Sequence, residues 1–113
     1  MFTIKLYQAN VTADYAFRCY TATTKTGGPK PEDYTKVWEE TVNHKITSAG
    51  DVRILEDLFG YMNQDDRPGR DKFRSMSVSD IVAIESDSKT RTYYCDTVSF
   101  IPIAFDGSKA AVL

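Results

Sequence analysis

Three serines and an aspartate lie together in Ser75–Asp80, which reads Ser-Met-Ser-Val-Ser-Asp. A serine acts as a nucleophile only beside a general base and an oxyanion site. The single histidine, His44, lies in a segment that offers it no recognisable partner. We therefore interpret Asp80 and the serines as residues that hydrogen-bond backbone amides where a loop meets a strand. Alternation predicts two of these residues in the core and two facing outwards: Met76 and Val78, then Ser77 and Ser79.

The two cysteines, Cys19 and Cys95, are the other candidates for chemistry, and they lie far apart in the sequence. A zinc site needs about four Cys or His ligands with paired spacing, and the chain contains no CxxC or HxxxH. The carboxylate of Asp96, next to Cys95, is expected to raise the pKa of that thiol and not to activate it. Free, partly buried thiols are typical of a reducing cytoplasm. We therefore expect a cytoplasmic protein without metal or cofactor.

Binding is a stronger expectation than catalysis, because one loop concentrates positive charge around Phe73. Its four cations are Arg67, Arg70, Lys72 and Arg74. They could contact phosphates or an acidic protein surface, although nearby aspartates nearly neutralise the loop and a solvated loop is the alternative. Tyrosine and tryptophan are also frequent interface anchors. Three aromatic residues on predicted strands are candidate contacts, with capping of the core edge as the alternative for the tyrosines: Tyr7, Tyr20 and Trp38.

Length and charge exclude several classes of protein. The 113 residues fit one domain. Sixteen acidic and fourteen basic residues give a formal net charge of −2, so the chain resembles neither a polycationic nucleic-acid binder nor an acidic mimic of DNA. No apolar stretch approaches ~18 residues, and the first residues lack the features of a secretory signal. No GxxxxGK[ST] or GxGxxG segment supports nucleotide chemistry.

The apolar pattern predicts an alternation of strands and one helix. Strands are expected at 2–8 and 15–22, joined as an antiparallel hairpin. Residues 32–43 fit a helix or a strand, and their β-branched and aromatic residues favour the strand. Pro102 cannot donate to a ladder, so the last of the later strands is expected at a sheet edge. These later strands are 80–86, 91–96 and 99–103.

The helix prediction covers residues 49–63, where Ser48 and Asp51 resemble a capping box and Asn63 could end the helix. Its apolar stripe contains Val52, Leu55, Leu58, Phe59 and Met62. We expect Val52, Leu55, Phe59 and Met62 to pack against Ile4, Leu6, Phe17, Val82 and Ile84. The predicted fold is a single α+β domain over 1–104, with this principal helix on a curved, mainly antiparallel sheet of five or six short strands. Residues 105–113 are expected to form a flexible tail.

The run FRSMSVSDIVAI followed by RTYYCDTVSFIPI, over residues 73–103, resembles the YodL-like domain family. That family has an SLSVSD run, then YYVD and an S-F segment. Weaker likenesses upstream, such as IKLYQ and LEDLFGYMN, extend the resemblance to roughly residues 2–103. The chain departs from the pattern at Ser99, where the family has glycine, and at Cys95, where it has an aliphatic residue.

The resemblance implies a genomic context more than a chemistry. YodL-like domains are typical of phage, plasmid and other mobile-element genes, and no catalytic residues are assigned to them. We therefore expect a non-enzymatic protein-binding module that modulates a host or defence complex, with an inhibitor of the anti-CRISPR type as one form. The alternative is a nucleic-acid-binding accessory domain that uses the loop from Arg67 to Arg74. No membrane partner is expected.

Overall fold

Strand β1 (Phe2–Ala9) lies in the middle of the structure, a computed structural model that describes residues 2–42, 50–86 and 88–113. It pairs antiparallel with β2 (Tyr34–Val42) on one side and with β3 (Ile81–Ser86) on the other. Among the described residues, three further strands complete a sheet of order β5-β4-β3-β1-β2-β6. They are β4 (Lys89–Cys95), β5 (Phe100–Ile103) and β6 (Ala111–Val112). The pairing is antiparallel except between β2 and β6, which confirms the predicted α+β class with a mainly antiparallel sheet.

The strand interpretation of 32–43 is confirmed by β2. Its register against β1 shifts between Leu6 and Tyr7, which face Trp38 and Lys36, so Val37 is an extra residue in a bulge. The three later strands are also confirmed, because β3, β4 and β5 overlap the predicted ranges. Pro102 lies in β5, one of the two edge strands of the described sheet.

The predicted strand at 15–22 is wrong. These residues form turns that lead into a short helix, α1 (Tyr20–Lys25), and the expected hairpin does not form. The reason is partly competition, since β2 and β3 occupy the two edges of β1. Phe17 also has a φ of 67°, which is incompatible with an extended strand.

Helix α2 (Gly50–Tyr61) covers one face of the sheet and confirms the predicted helix from residue 50, while Ser48 lies outside the described residues. Asn63 donates to the Phe59 carbonyl at 2.7 Å just beyond the helix end. The core on this face joins Leu55, Leu58 and Met62 to strand residues that include Ile4, Leu6, Val82 and Ile84. Val52 and Phe59 were expected in this core and are instead 61% and 39% exposed. Phe17 is also exposed, so its core assignment is wrong.

A second core lies on the opposite face of the sheet, where tyrosines hold the segment between β1 and β2. Tyr15 donates to Asp33 at 2.6 Å, and the Tyr94 hydroxyl donates to the Arg18 carbonyl at 2.8 Å. Tyr34 packs edge-on against Phe105 with ring centroids 5.3 Å apart. The many aromatic residues are therefore explained by two cores on a sheet covered on both sides.

The last nine residues were expected to form a flexible tail, and the structure places them against the sheet. Phe105 packs on Tyr7 at 5.1 Å between ring centroids, a 3-10 turn covers Gly107–Lys109, and β6 pairs with β2. The Leu113 amide donates to the Lys36 carbonyl at 3.0 Å. Neither of the described helices is long and apolar enough to cross a membrane.

Candidate functional site

Phe17 combines a rare backbone conformation with an exposed aromatic side chain. Its φ of 67° lies in the left-handed region, which a bulky side chain rarely adopts, and the residue is 51% exposed. The Phe17 amide donates to Ser79 Oγ at 2.9 Å, and Ser79 itself has a φ of 84°. Two strained backbones are thus joined by one hydrogen bond. Such strain persists only where the surroundings impose it, and it is frequent at functional sites.

The amide, the carbonyl and the hydroxyl of Ser79 all form hydrogen bonds. Its amide donates to the Cys95 carbonyl at 2.9 Å, and its carbonyl accepts from the Tyr34 hydroxyl at 2.6 Å. The residue is fully buried, so our expectation that Ser79 faces outwards is wrong. Its hydroxyl does bind a loop amide, as the sequence predicts for this motif. The Ser-Met-Ser-Val-Ser-Asp run therefore acts as the support on which Phe17 is presented.

Asp80 extends this support into the protein. Its Oδ2 accepts from the Ser77 amide at 2.9 Å and from Gln8 Nε2 at 3.2 Å, which confirms the predicted contact with a loop amide. The side chain is fully buried, and this burial raises the pKa of Asp80 from 3.8 to about 7. Its other oxygen, Oδ1, has no hydrogen-bond partner among the described residues.

Arg74 connects the buried carboxyl to the exposed ring. Its Nη2 donates to the Ala9 carbonyl at 2.9 Å and lies 3.6 Å from Asp80 Oδ1. The guanidinium carbon lies 4.7 Å from the centroid of the Phe17 ring, a cation–π arrangement. Arg18, which follows Phe17 in the sequence, is also exposed. We call Phe17, Arg18 and Arg74 the Phe17 face.

The rest of the basic loop is shaped by Phe73. The Arg67 guanidinium lies 5.4 Å from the Phe73 ring centroid. Gly69 has a φ of 68°, and a Cβ at this position would lie 1.9 Å from Phe73 Cε1, so the turn requires glycine. Arg70 and Lys72 are exposed. The four predicted cations therefore divide into two that stack on aromatic rings and two that are free to meet a ligand.

The three aromatic residues predicted as contacts do not join this loop in one surface. Tyr7 is buried in the second core, so its expected exposure is wrong. Tyr20 is half-buried and packs edge-on against Tyr94 at 5.2 Å between ring centroids. Trp38 is half-buried against the core beneath α2. The exposure of Phe17 was not predictable, because no sequence pattern indicates a left-handed phenylalanine.

Burial determines the pKa of the Cys95 thiol, the titratable group that the sequence offers as a nucleophile. It raises the pKa of the Cys95 thiol to about 12, with the carboxyls of Asp80 and Asp96 adding to the effect. A thiol of this kind is inert at neutral pH. Cys19 and Cys95 are both free, as the sequence predicts. In residues 2–42, 50–86 and 88–113, no three His, Cys, Asp or Glu side chains are grouped to hold a metal ion, and His44 lies outside these ranges.

The fold is that of a small α+β domain whose serine-rich motif supports an exposed aromatic residue. The family model of the YodL-like domain matches residues 2–105, nearly the whole chain. The chain therefore belongs to the YodL-like domain family, as the resemblance predicted. No curated protein and no solved structure matches it.

Proposed function

We propose that this protein is a non-enzymatic binding module of a phage or mobile element, which attaches to a host or defence protein complex through the Phe17 face. The observation that carries the proposal is the exposed Phe17 ring on a strained backbone, with the Arg74 guanidinium stacked on it. Aromatic and arginine side chains dominate the binding energy of protein interfaces. An inhibitor of a defence complex, of the anti-CRISPR type, is one form of this function. Its expected compartment is the cytoplasm.

The rigidity of the Phe17 face supports protein binding. Ser79 and Arg74 fix the Phe17 backbone and ring, so little conformational freedom is lost when a partner covers them. Preorganised side chains of this kind raise affinity because the entropy cost of ordering is small. Ser79 Oγ is not placed to act as a nucleophile, because it is buried and accepts a hydrogen bond from the Phe17 amide.

The test replaces Phe17 with a photo-crosslinking phenylalanine analogue in host cells, with Val11 in the same loop as the matched site. Val11 is 74% exposed and is not one of the residues of the Phe17 face. We expect one host protein to be crosslinked from position 17 and not from position 11. With that protein purified, Phe17→Ala should weaken binding at least ~10-fold and Val11→Ala by less than ~2-fold. Equal effects of the two substitutions would contradict the proposal.

Nucleic-acid binding is the second candidate, because exposed Arg70 and Lys72 stand beside the stacked pair of Arg67 and Phe73. Cations interleaved with aromatic rings bind single strands through phosphate contact and base stacking. If this candidate is right, retention of single-stranded DNA or RNA falls steeply with salt. It should also be lost when Arg70 and Lys72 are both changed to Glu. Retention that the double variant does not alter would exclude this loop as the nucleic-acid site.

A further inference from the structure

A groove of about 380 Å³ runs between α2 and the turn that joins β4 to β5, and its lining includes none of the residues of the Phe17 face. Val52, Glu56 and Phe59 form its wall on the helix, at the spacing of one helical face. Val98 and Phe100 form the opposite wall, and Cys95 belongs to its lining.

The groove gathers exposed apolar side chains in one place. Val98 is 93% exposed, and the α2 residues Val52 and Phe59 are also exposed, at 61% and 39%. Single exposed apolar residues are ordinary on protein surfaces, but contiguous groups of them mark interaction sites. The apolar stripe of α2 is therefore wider than its own core requires, and the additional part faces the groove.

The charge of the groove is negative. Glu56 and Asp96 belong to its lining, and none of the described lining residues is basic. The two arginines near α2 are already paired, since Arg53 binds Asp57 and Arg91 binds Asp51. An occupant that brings lysine or arginine thus meets carboxylates and no repelling cation.

We propose that this groove binds an amphipathic helix of a partner protein, with apolar side chains between Val52, Phe59 and Val98 and with lysine or arginine beside Glu56 and Asp96. The row from Val52 to Phe59 is about 10 Å long, two turns of helix, which suits lengthwise packing of a second helix. This inference does not rest on the Phe17 face.

The test uses synthetic peptides of about 15 residues, long enough to form a helix. One peptide places leucine at helical i, i+3, i+4 and i+7 spacing with lysine elsewhere, a second replaces each lysine with glutamate, and a third scrambles the first. Fluorescence anisotropy measures the binding of each labelled peptide to the full chain. We expect the leucine–lysine peptide to bind at least ~10-fold more tightly than the other two.

Matched variants locate the binding. Val98→Asn should weaken it at least ~10-fold, because it removes an apolar contact without adding charge, whereas Val11→Asn, the same change at another exposed valine, should have less than a ~2-fold effect. Glu56→Lys should weaken it at least ~5-fold, and Glu32→Lys, a charge reversal on another exposed residue, should not. Phe17→Ala should leave the peptide affinity unchanged, so failure here is distinguishable from failure of the Phe17 face.

Three results would overturn the proposal. The first is equal binding of the lysine and glutamate peptides, which would remove the role of charge. The second is equal loss of affinity in Val98→Asn and Val11→Asn, which would place the peptide elsewhere. The third is a dimer in sedimentation that Val98→Asn dissociates, because a second copy of the chain would then be the occupant. Circular dichroism of each variant verifies that it is folded.

Discussion

The Phe17 amide donates a 2.9 Å hydrogen bond to the hydroxyl of Ser79, and both residues have a positive φ. Sixty-two positions of sequence separate them. The serine motif thus controls the conformation of a distant loop, because its hydroxyl is the acceptor that keeps Phe17 in the left-handed region. Removing this acceptor should affect both stability and the presentation of the ring.

Substitutions of Ser79 should show an inverted order of stability. Ser79→Ala leaves the Phe17 amide without its acceptor, at a cost of about 1–3 kcal/mol. Ser79→Gly loses the same hydrogen bond, but glycine adopts a positive φ without strain. Its free energy of unfolding should therefore be about 1 kcal/mol higher than that of the alanine variant. Urea unfolding measures both. A glycine variant of a protein is usually less stable than the matching alanine variant. If Ser79→Gly is less stable than Ser79→Ala, the strain at Ser79 is contradicted.

Asp80 should make the protein less stable as the pH rises. Burial raises the pKa of Asp80 from 3.8 to about 7 in the folded state, so between these values the folded chain holds a proton that the unfolded chain has lost. The stability that the raised pKa of Asp80 contributes is therefore complete below about pH 4 and is lost as the pH rises through 7. The free energy of unfolding should fall more steeply over this range in the wild type than in Asp80→Asn. Parallel pH profiles would contradict the assignment.

Asp51 should show the opposite pH dependence. The hydrogen bond from Arg91, at 3.0 Å from Nη2 to Oδ1, lowers the pKa of Asp51, and Tyr93 also donates to this carboxylate. A lowered pKa gives stability that is present above the ordinary value of 3.8 and is lost as the pH falls through the folded value. Asp51→Ala should cost about 1–2 kcal/mol at pH 7, allowing for solvent screening.

The control for Asp51 lies on the same helix. Asp57 pairs with Arg53 at 3.1 Å, but both side chains are about two-thirds exposed, at 67% and 66%. Asp57→Ala should therefore cost less than about 0.5 kcal/mol. Equal losses in Asp51→Ala and Asp57→Ala would show that the Arg91 contact contributes no more than a surface pair.

Helix α2 offers a direct comparison between a core residue and a groove residue. Leu55→Ala should cost about 2–5 kcal/mol, because Leu55 is fully buried. Phe59→Ala should cost less than about 1.5 kcal/mol, since much of the ring already faces solvent. Chemical denaturation of the two variants checks the order. A larger loss for Phe59→Ala would restore the sequence-based assignment of Phe59 to the core.

Strands β3, β4 and β5 were predictable because the alternation of apolar and polar residues and the turn residues between strands are local sequence signals. Pro102 also indicated a sheet edge. The structure of the region from Tyr15 to Tyr20 was not predictable, because the same alternation occurs here in a loop whose tyrosines pack against the sheet. Whether the apolar stripe of α2 is covered depends on the width of the sheet beneath it, which the helix sequence does not contain. Val52 and Phe59 were misassigned for that reason. The positive φ of Phe17 is imposed by tertiary contacts and leaves no local signal.

The central position of β1 has a consequence for how the chain folds during synthesis. Thr3 pairs with Glu85, 82 positions later in the chain, so β1 receives its second neighbour only after Glu85 has been synthesised. Contacts between such distant residues slow folding, and an open strand edge is prone to mispairing in the meantime. A chain that stops before Ile81 contains β1, β2 and α2, yet we expect its circular dichroism to be that of an unfolded chain. A cooperative thermal transition in that fragment would show that β1 and β2 fold before β3 arrives.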